Sequence, residues 1–226
     1  MIVRGDAFFH EWEGALPFFG MSSSRILRLE LLEQIGISFE VRVSDKEEVY
    51  HSLIPEEIVK ELALSKAENV ADDLREKQEQ VKQISFDKKN NVLLDTIVIG
   101  ADTIVVSDGS ILGKPKDEAD AVRMIRSLQG RSHKVYTGVA ILDYDDEGKR
   151  KSVVHAVETE VFVNPMSDEE IREYAATGEP LDKAGAYGIQ GQFAAYIERI
   201  DGDYYNVVGL PVSYVYRQLK EIAEKD

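Results

Sequence analysis

The segment Thr96–Val106 reads TIVIGADTIVV and places one carboxylate, Asp102, between two runs of branched apolar side chains. The runs Thr96–Ile99 and Ile104–Val106 are typical of strands, because branched side chains pack well on a pleated surface. We predict two strands joined through Gly100–Thr103. A carboxylate enclosed by apolar neighbours must find a cation, a metal ion or hydrogen-bond donors, which favours a functional role for Asp102.

Upstream of this segment the sequence predicts two strands and two helices. Proline at a first helical position, followed by acidic residues that face the positive end of the helix dipole, marks one helix start at Pro55. The part of this helix from Asp72 onward is nearly all polar and reads as a solvated extension. In order, the predicted elements are a strand at Phe18–Met21, a helix at Arg25–Gln34, a strand at Phe39–Val43 and a helix from Pro55 to Lys82.

Downstream, helical and strand patterns continue to alternate, which predicts an α/β fold. Gly130 follows the first of these helices as a C-terminal stop signal. The predicted elements are a helix at Asp117–Leu128, strands at Val135–Leu142 and Val153–Val163, a helix at Asp168–Thr177, a strand at Ala194–Ile200 and a helix at Pro211–Glu224.

Composition excludes several classes of protein. The 226 residues, 43% of them hydrophobic, suit one large or two small domains with a sizeable core. The absence of cysteine excludes disulfides, thiolate zinc sites and a cysteine nucleophile, and it fits a reducing compartment. The net charge of -15 argues against a protein that binds nucleic acid, whose affinity comes largely from Lys and Arg contacts to phosphate.

We expect a protein of the cytoplasm. No apolar run approaches the length of a membrane span, which argues against a membrane partner, and charged residues interrupt the N-terminal stretch where a signal peptide needs an apolar core. An acidic protein that handles a small anionic substrate needs a local basic cluster or a divalent metal ion.

The segment Asp182–Gly191, DKAGAYGIQG, combines three glycines at three-residue spacing with a charged pair and one amide. Such a run is typical of a loop that surrounds a ligand, because glycine lets the backbone approach closely. A tight connection that needs several unusual turns is an equal alternative. Lys183 and Gln190 are its candidate binding side chains.

Lys66 lies on the apolar stripe of the helix that begins at Pro55, where a core residue is expected. Either its ammonium has a function or its stem extends past the edge of the core. Glu47 and Glu48 follow a predicted strand and offer oxygen ligands for a metal ion, although paired glutamates in loops are usually only solvated.

The serine turn at residues 22–24 precedes a helix and has Arg25 and Arg28 nearby, an arrangement that binds phosphate at helix N-termini. Simple capping by a serine is the commoner explanation. Lys114 occupies a turn between a strand and a helix, a weak signal when taken alone.

Six ordered motifs together resemble the Maf family, over roughly residues 18–220. They are SSSRILRLELL at 22–32, IGADTIV at 99–105, LGKP at 112–115, GRSHKVYTGV at 130–139, EPLDKAGAYGIQG at 179–191 and DGDYYNVVGLP at 201–211. The resemblance implies a single domain at 18–226 after an N-terminal extension at 1–17. It also implies a mixed, twisted central sheet flanked by helices, with two lobes around a cleft, as in inosine triphosphate pyrophosphatases.

Maf proteins are metal-dependent nucleoside triphosphate pyrophosphatases, so the resemblance implies cleavage of a triphosphate to the monophosphate and pyrophosphate. It makes Asp102 the catalytic base, Glu48 an essential carboxylate beside a bound Mg²⁺ or Mn²⁺, and Lys66 and Lys114 the cations that bind the triphosphate. Asp102 and Glu48 are then the metal ligands. A homodimer is the assembly that the family suggests.

Seven residues are candidate substrate contacts, some from the resemblance and others from the serine turn and the glycine-rich segment. Thr103 and Gln190 match the group that acts on thymidine and uridine triphosphates, whereas the group that acts on 7-methylguanosine triphosphate differs at both. The family usually has two consecutive arginines in the first motif, but here they are three residues apart, which leaves Arg25 and Arg28 as alternatives with Arg28 preferred. The full set of candidate contacts is Ser22, Ser24, Arg25, Arg28, Thr103, Lys183 and Gln190.

Two other functions stay open. A nucleotide-binding regulator of cell division without turnover is one, although such a sensor does not require the carboxylates and lysines that this chain has. The same reaction on another base, such as that of 7-methylguanosine triphosphate, is the other.

Overall fold

The computed structural model describes residues 2–4, 23–42, 46–84, 96–145 and 147–224. Within them one six-stranded sheet forms the centre of the molecule. Its strands are β1 (Ile2–Arg4), β2 (Thr96–Ser107), β3 (Ser110–Leu112), β4 (Ser132–Tyr144), β5 (Arg150–Val163) and β6 (Ile197–Asp201). The strand order is β1-β2-β4-β5-β6, with β3 paired to β2.

Helices cover both faces of this sheet, which confirms the α/β class. They are α1 (Ser23–Gln34), α2 (Pro55–Ile84), α3 (Glu118–Leu128), α4 (Asp168–Ala176), α5 (Tyr204–Val208) and α6 (Val212–Ala223). We predicted a mixed sheet, but every strand pairing among the described residues is antiparallel. No helix within the described ranges is both long enough and apolar enough to cross a membrane.

Alternation along β2 divides its side chains between the two faces. Val98, Ile104 and Val106 pack with α2 on one face, whereas Ile99 and Val105 belong to the larger core formed with the other helices. By the same alternation Asp102 is directed toward α2, and Thr103 toward the opposite face. The two faces of one strand therefore supply two different walls of a site.

The prediction of two short strands around Gly100–Thr103 is wrong, because Thr96–Ser107 is one continuous strand paired with β4. Glycine has another purpose here. A Cβ added at Gly100 would lie 2.3 Å from the carbonyl oxygen of Ala63, and one at Gly138 would lie 2.0 Å from that of Val59. These two glycines therefore let α2 lie unusually close to the sheet.

Two other predicted strands differ from the structure. Residues 39–42 contain an isolated bridge at Glu40, while residue 43 lies outside the described part. The strand predicted at Ala194–Ile200 is instead a 3₁₀ turn, Gln192–Tyr196, followed by β6. Phe193 explains the turn, because its fully buried ring packs against other aromatic rings of the main core. The strand predicted at Phe18–Met21 lies outside the described residues.

The remaining helices and strands agree with the predictions to within a few residues at their ends. α2 runs for 30 residues from Pro55, as expected. Sequence patterns missed β1, β3 and α5, which have three, three and five residues and are too short to show a period.

Candidate active site

The ammonium of Lys66 forms ion pairs with two carboxylates. Its Nζ lies 2.5 Å from Asp102 Oδ1 and 2.7 Å from Glu48 Oε1. The close packing of α2 at Gly100 brings this lysine to the strand that carries Asp102. Asp102 is only 9% exposed, so the ion pair provides the compensation that a buried charge requires.

The donor set fits a divalent metal ion. Two carboxylates that converge on one cation offer the hard oxygen ligands that Mg²⁺ prefers, and Mg²⁺ commonly uses one or two carboxylates together with substrate phosphates. Within the described ranges no group of three or more His, Asp or Glu side chains could form a complete metal cage. Glu48 and Asp102 therefore suit a metal ion that binds together with a phosphorylated ligand.

Arg28 projects from α1 toward the opposite face of β2. Its guanidinium donates to the carbonyl oxygen of Gly209 at 2.8 Å and to that of Ala101 at 2.9 Å, and it also donates to Thr103 Oγ1 at 3.0 Å. These three acceptors are neutral, and together they orient the guanidinium.

A cavity of about 600 Å³ extends between α2 and segment 182–189, and its size suits a small-molecule ligand. Arg28, Lys66, Lys114 and Lys183 all line it. Among the described residues Lys114 has no carboxylate within ion-pair distance. The Lys183 ammonium donates to Asp182 Oδ1 at 2.9 Å. Because Glu48, Asp102 and Asp182 line it too, four cations face three carboxylates there, in a protein that is strongly acidic as a whole.

Each glycine of segment 182–191 is required for a different structural reason. Gly185 has a φ of 71°, and its added Cβ would lie 2.9 Å from Val105, so the backbone passes directly over β2. At Gly188 an added Cβ would meet the stem of Lys183, and at Gly191 it would lie 2.0 Å from Glu179 Oε1. Gly185 also donates its N–H to the carbonyl of Gly113 at 3.0 Å, which joins this segment to the turn that carries Lys114.

Comparison with known proteins identifies the family. Residues 20–222 match the family described as Maf-like protein. The chain belongs to the Maf family. Similar proteins carry the name dTTP/UTP pyrophosphatase, and three of them illustrate the similarity. They come from Agathobacter rectalis (43% identity over 89% of this chain and 96% of the relative), Dictyoglomus turgidum (45%, over 85% and 89%) and Bacillus cytotoxicus (45%, over 90% and 94%).

The structure brings most of the side chains implied by the Maf resemblance to one cavity. Asp102, Glu48, Lys66, Lys114, Arg28, Thr103 and Lys183 all line it. Ser24 and Arg25 lie in the first turn of α1, where only the backbone is described, and Ser22 lies outside the described residues.

Gln190 is the exception among the described candidates. Its side chain is exposed, whereas its neighbours Gly188 and Ile189 line the cavity. The structure therefore does not bring this amide to the cavity, and a role in reading the base stays a prediction.

Glu179 is a residue of the Maf motif whose role sequence reasoning missed. Its Oε1 accepts from the Tyr174 hydroxyl at 2.9 Å, and its Oε2 accepts from the backbone N–H of Gln192 at 3.0 Å. Its carboxylate also occupies the space left by the absent side chain of Gly191. Glu179 thus stabilises the glycine-rich segment by hydrogen bonds. Its position at the start of that motif was the sequence signal that could have indicated this role.

His133 and Tyr187 form a buried hydrogen-bonded pair at one side of the cavity. His133 Nε2 lies 2.7 Å from the hydroxyl of Tyr187, a residue that lines the cavity. Burial lowers the pKa of His133 to about 4 and raises the pKa of Tyr187 above its usual range. Both side chains are therefore neutral near pH 7, and the positive charge of this cavity comes from its lysines and arginine.

Proposed function

We propose that this protein hydrolyses uridine or thymidine triphosphate, or a modified pyrimidine form, to the nucleoside monophosphate and pyrophosphate. The observation that carries the proposal is the Lys66 ammonium shared by Asp102 and Glu48 at the wall of a cation-lined cavity. The names of the relatives support the pyrimidine class, and residue 103 is a threonine, as in the group that acts on these substrates.

Asp102 acts as the general base in this proposal. Lys66 contacts its Oδ1, and within the described residues no donor contacts its Oδ2, which leaves that oxygen for a water molecule. Oδ2 takes a proton from the water as the water oxygen bonds to the α-phosphorus. The bond from the α-phosphorus to the bridging oxygen breaks, and the electron pair leaves with pyrophosphate.

The cations bind and orient the triphosphate. Lys66, Lys114 and Arg28 line the cavity on different structural elements, so they can meet different oxygens of the phosphate chain. Phosphoryl transfer depends mainly on positioning and electrostatic stabilisation, which such cations supply as charge develops on the leaving group.

Glu48 and Asp102 would hold a Mg²⁺ or Mn²⁺ ion. When bound, it supplies positive charge that offsets the charge of the triphosphate. In the structure the Lys66 ammonium supplies positive charge at the same two carboxylates.

Several further assignments belong to the proposal. Ser22, Ser24, Arg25, Lys183 and Gln190 are additional substrate contacts, and Gln190 needs a rearrangement of its segment to reach the base. The protein acts in the cytoplasm, and its catalytic domain begins near residue 18 after an N-terminal extension, of which residues 2–4 add the edge strand β1 to the central sheet. The homodimer stays a prediction from the family resemblance.

Product analysis in ¹⁸O-labelled water tests the reaction. Purified protein is incubated with UTP, dTTP, CTP, GTP and 7-methylguanosine triphosphate in the presence of Mg²⁺, and the products are identified by mass spectrometry. We expect pyrophosphate and a monophosphate that carries the label, with UTP or dTTP preferred. A diphosphate and inorganic phosphate would contradict the bond assignment, and a preference for the methylated guanosine substrate would contradict the base.

A chelator tests the role of the metal ion. Turnover is measured with EDTA and after Mg²⁺ is restored, and Asp108→Asn serves as a control because Asp108 is an exposed carboxylate that pairs with Arg131. We expect EDTA to abolish turnover in wild type and in the control alike. Unchanged turnover in EDTA would contradict the metal assignment, whereas nucleotide binding without products would support the regulator.

A further inference from the structure

A chain of hydrogen bonds runs from Arg28 into the protein interior. Arg28 Nη2 donates to Thr103 Oγ1 at 3.0 Å, and Thr103 Oγ1 lies 2.9 Å from Thr137 Oγ1. Thr137 Oγ1 then lies 2.8 Å from the backbone carbonyl oxygen of Asn206. The chain therefore connects α1, the neighbouring strands β2 and β4, and the short helix α5.

The direction of every bond in this chain follows from its ends. A guanidinium can only donate, and a carbonyl oxygen can only accept. Thr137 has one hydroxyl proton, and the carbonyl of Asn206 requires it. The proton of Thr103 must therefore point to Thr137, so each hydroxyl donates away from Arg28 and each bond polarises the next.

This direction changes the role of Thr103. Its hydroxyl proton is committed to Thr137, and its oxygen already accepts from Arg28. Although Thr103 lines the cavity, its hydroxyl supports the guanidinium and has no proton left for a ligand in this arrangement.

The far end of the chain is firmly anchored. Thr137 and Asn206 are both fully buried, beyond the reach of a ligand. The Asn206 side chain donates to the carbonyl oxygen of Val135 at 3.1 Å and to Thr159 Oγ1 at 2.9 Å, which ties α5 to β4 and β5.

Arg28 is also held directly by the residue that follows α5. Its Nε donates to the carbonyl oxygen of Gly209, the C-cap residue of that helix. Gly209 has a φ of 119°, a conformation that favours glycine. The Arg28 guanidinium is thus connected to this part of the chain in two ways. Gly209 contacts it directly, and Asn206 of α5 is linked to it through the hydroxyls of Thr137 and Thr103.

We propose that Thr137 is a positioning residue that acts through Thr103 to aim the Arg28 guanidinium into the cavity. Its significance for catalysis rests on the proposed function, in which Arg28 binds the triphosphate. Without the Thr137 hydroxyl, Thr103 loses its acceptor and its hydroxyl can rotate, so one of the supports of Arg28 is no longer oriented.

Thr137→Val and Thr137→Ser form a matched pair for the test. Valine keeps the shape but removes the hydroxyl, whereas serine keeps the hydroxyl. We expect Thr137→Val to raise KM for UTP about 3- to 10-fold, as for a lost internal hydrogen bond, with a smaller change in kcat, and Thr137→Ser to stay near wild type. Thermal melts are recorded for both variants, since a general loss of folding would also reduce activity.

A double-mutant cycle separates positioning from a structural role. In an Arg28→Lys background the chain has already lost its guanidinium, so we expect Thr137→Val to change KM less than about twofold there. An equal effect of Thr137→Val in both backgrounds would overturn the proposal. If Thr137→Val does not fold, Thr137→Ala, which also lacks the hydroxyl, takes its place in the same comparison with Thr137→Ser.

Side-chain NMR provides a readout that does not need turnover. In protein labelled with ¹⁵N-arginine, the Nε–H signal of Arg28 is assigned by its loss in Arg28→Lys. We expect Thr137→Val to shift this signal and speed its exchange with water, and Thr137→Ser to leave it unchanged. An inactive wild type would contradict the proposed function alone, whereas an unaltered Arg28 signal in Thr137→Val would contradict the positioning role.

Discussion

Asp102 and Glu48 contact the same Lys66 ammonium, but Asp102 is buried whereas Glu48 is exposed. Asp102 lies within a continuous strand, opposite Gly138 on β4, and is almost fully buried. Glu48 lies in segment 46–54, which has no helix or strand before α2 and includes Leu53 at 94% exposure. One carboxylate is held by the sheet, whereas the other is held through its ion pair with Lys66.

The difference separates two tasks. A general base must keep its position and its environment, which a buried strand provides. A metal ligand can lie on an exposed segment, because the bound ion and substrate supply the remaining order. We therefore expect substitutions in the sheet to reduce activity or stability more than substitutions on the exposed segments. A higher metal concentration should compensate for part of the loss caused by a substitution at Glu48.

Asp102→Asn should have the largest effect. The amide keeps the size and polarity of the side chain but cannot take a proton, so we expect kcat to fall by about 10³-fold or more, within the range of general base catalysis. Nucleotide binding should change far less, as measured by calorimetry. A folded variant that retains near-wild-type turnover would show that this carboxylate is structural.

Gly138→Ala tests whether the close contact of α2 builds the sheet side of the site. The added methyl would overlap the carbonyl of Val59, so we expect a loss of about 3 kcal/mol in the free energy of unfolding. Gly113→Ala is the control, because nothing lies within 4 Å of its added Cβ, and it should change stability by less than about 0.5 kcal/mol. Urea unfolding measures both, and equal effects would contradict the packing argument.

His133, on strand β4, should make the stability of the folded protein sensitive to acid. Burial lowers its pKa from 6.5 to about 4, so below pH 6.5 the unfolded chain binds a proton that the folded protein does not. Stability is thus lost as the pH falls from 6.5 toward 4, by about 2 kcal/mol between pH 7 and pH 5. His133→Gln should remove this slope.

The control for the pH experiment is His155→Gln, since His155 is exposed and stacks on Tyr214. Unfolding is measured at each pH, and the difference in slope is compared, because carboxylates with lowered pKa values such as those of Asp168 and Glu158 also contribute in acid. A slope that persists in His133→Gln would show that other groups cause the loss.

Glu48→Gln should reduce kcat/KM by about tenfold, on the scale of one hydrogen bond to a charged group. Raising the Mg²⁺ concentration should recover part of the loss, as followed in a metal titration. Glu47→Gln, one residue away on the same exposed segment, should behave as wild type. If Glu48→Gln is as inactive as Asp102→Asn at every Mg²⁺ concentration, the two carboxylates do not differ in the way their surroundings indicate.

Gln190→Ala should have the smallest effect. Because the side chain is exposed and does not line the cavity, we expect the ratio of kcat/KM for UTP to that for CTP to change less than about threefold, as for a surface substitution. A larger loss of discrimination would show that segment 182–191 moves to place this amide on the base.

Long elements and ordered motifs were predictable. α2 follows from Pro55 and its apolar stripe, whereas the position of Lys66 on that stripe left open whether its ammonium has a function, and the structure shows it paired with Asp102. A lone carboxylate among branched apolar residues was expected to need a partner, and the contact of Asp102 with Lys66 confirms that need, while its catalytic role stays a prediction. The short helix α5 could not be predicted, because five residues show no period and its stability comes from contacts such as those of the buried Asn206.

The residues along the chain already specify an α/β protein, a Maf-like set of carboxylates and cations, and the absence of thiol chemistry, because these depend on residue type, local pattern and motif order. They do not specify that Lys66 joins Asp102 to Glu48, nor that Arg28 is supported through Thr103 and Thr137. Those contacts join residues 36 and 75 positions apart, in the pairs Lys66–Asp102 and Arg28–Thr103. They form because strand alternation, the open surface at Gly100 and Gly138, and the buried turn after α5 bring distant segments together in three dimensions.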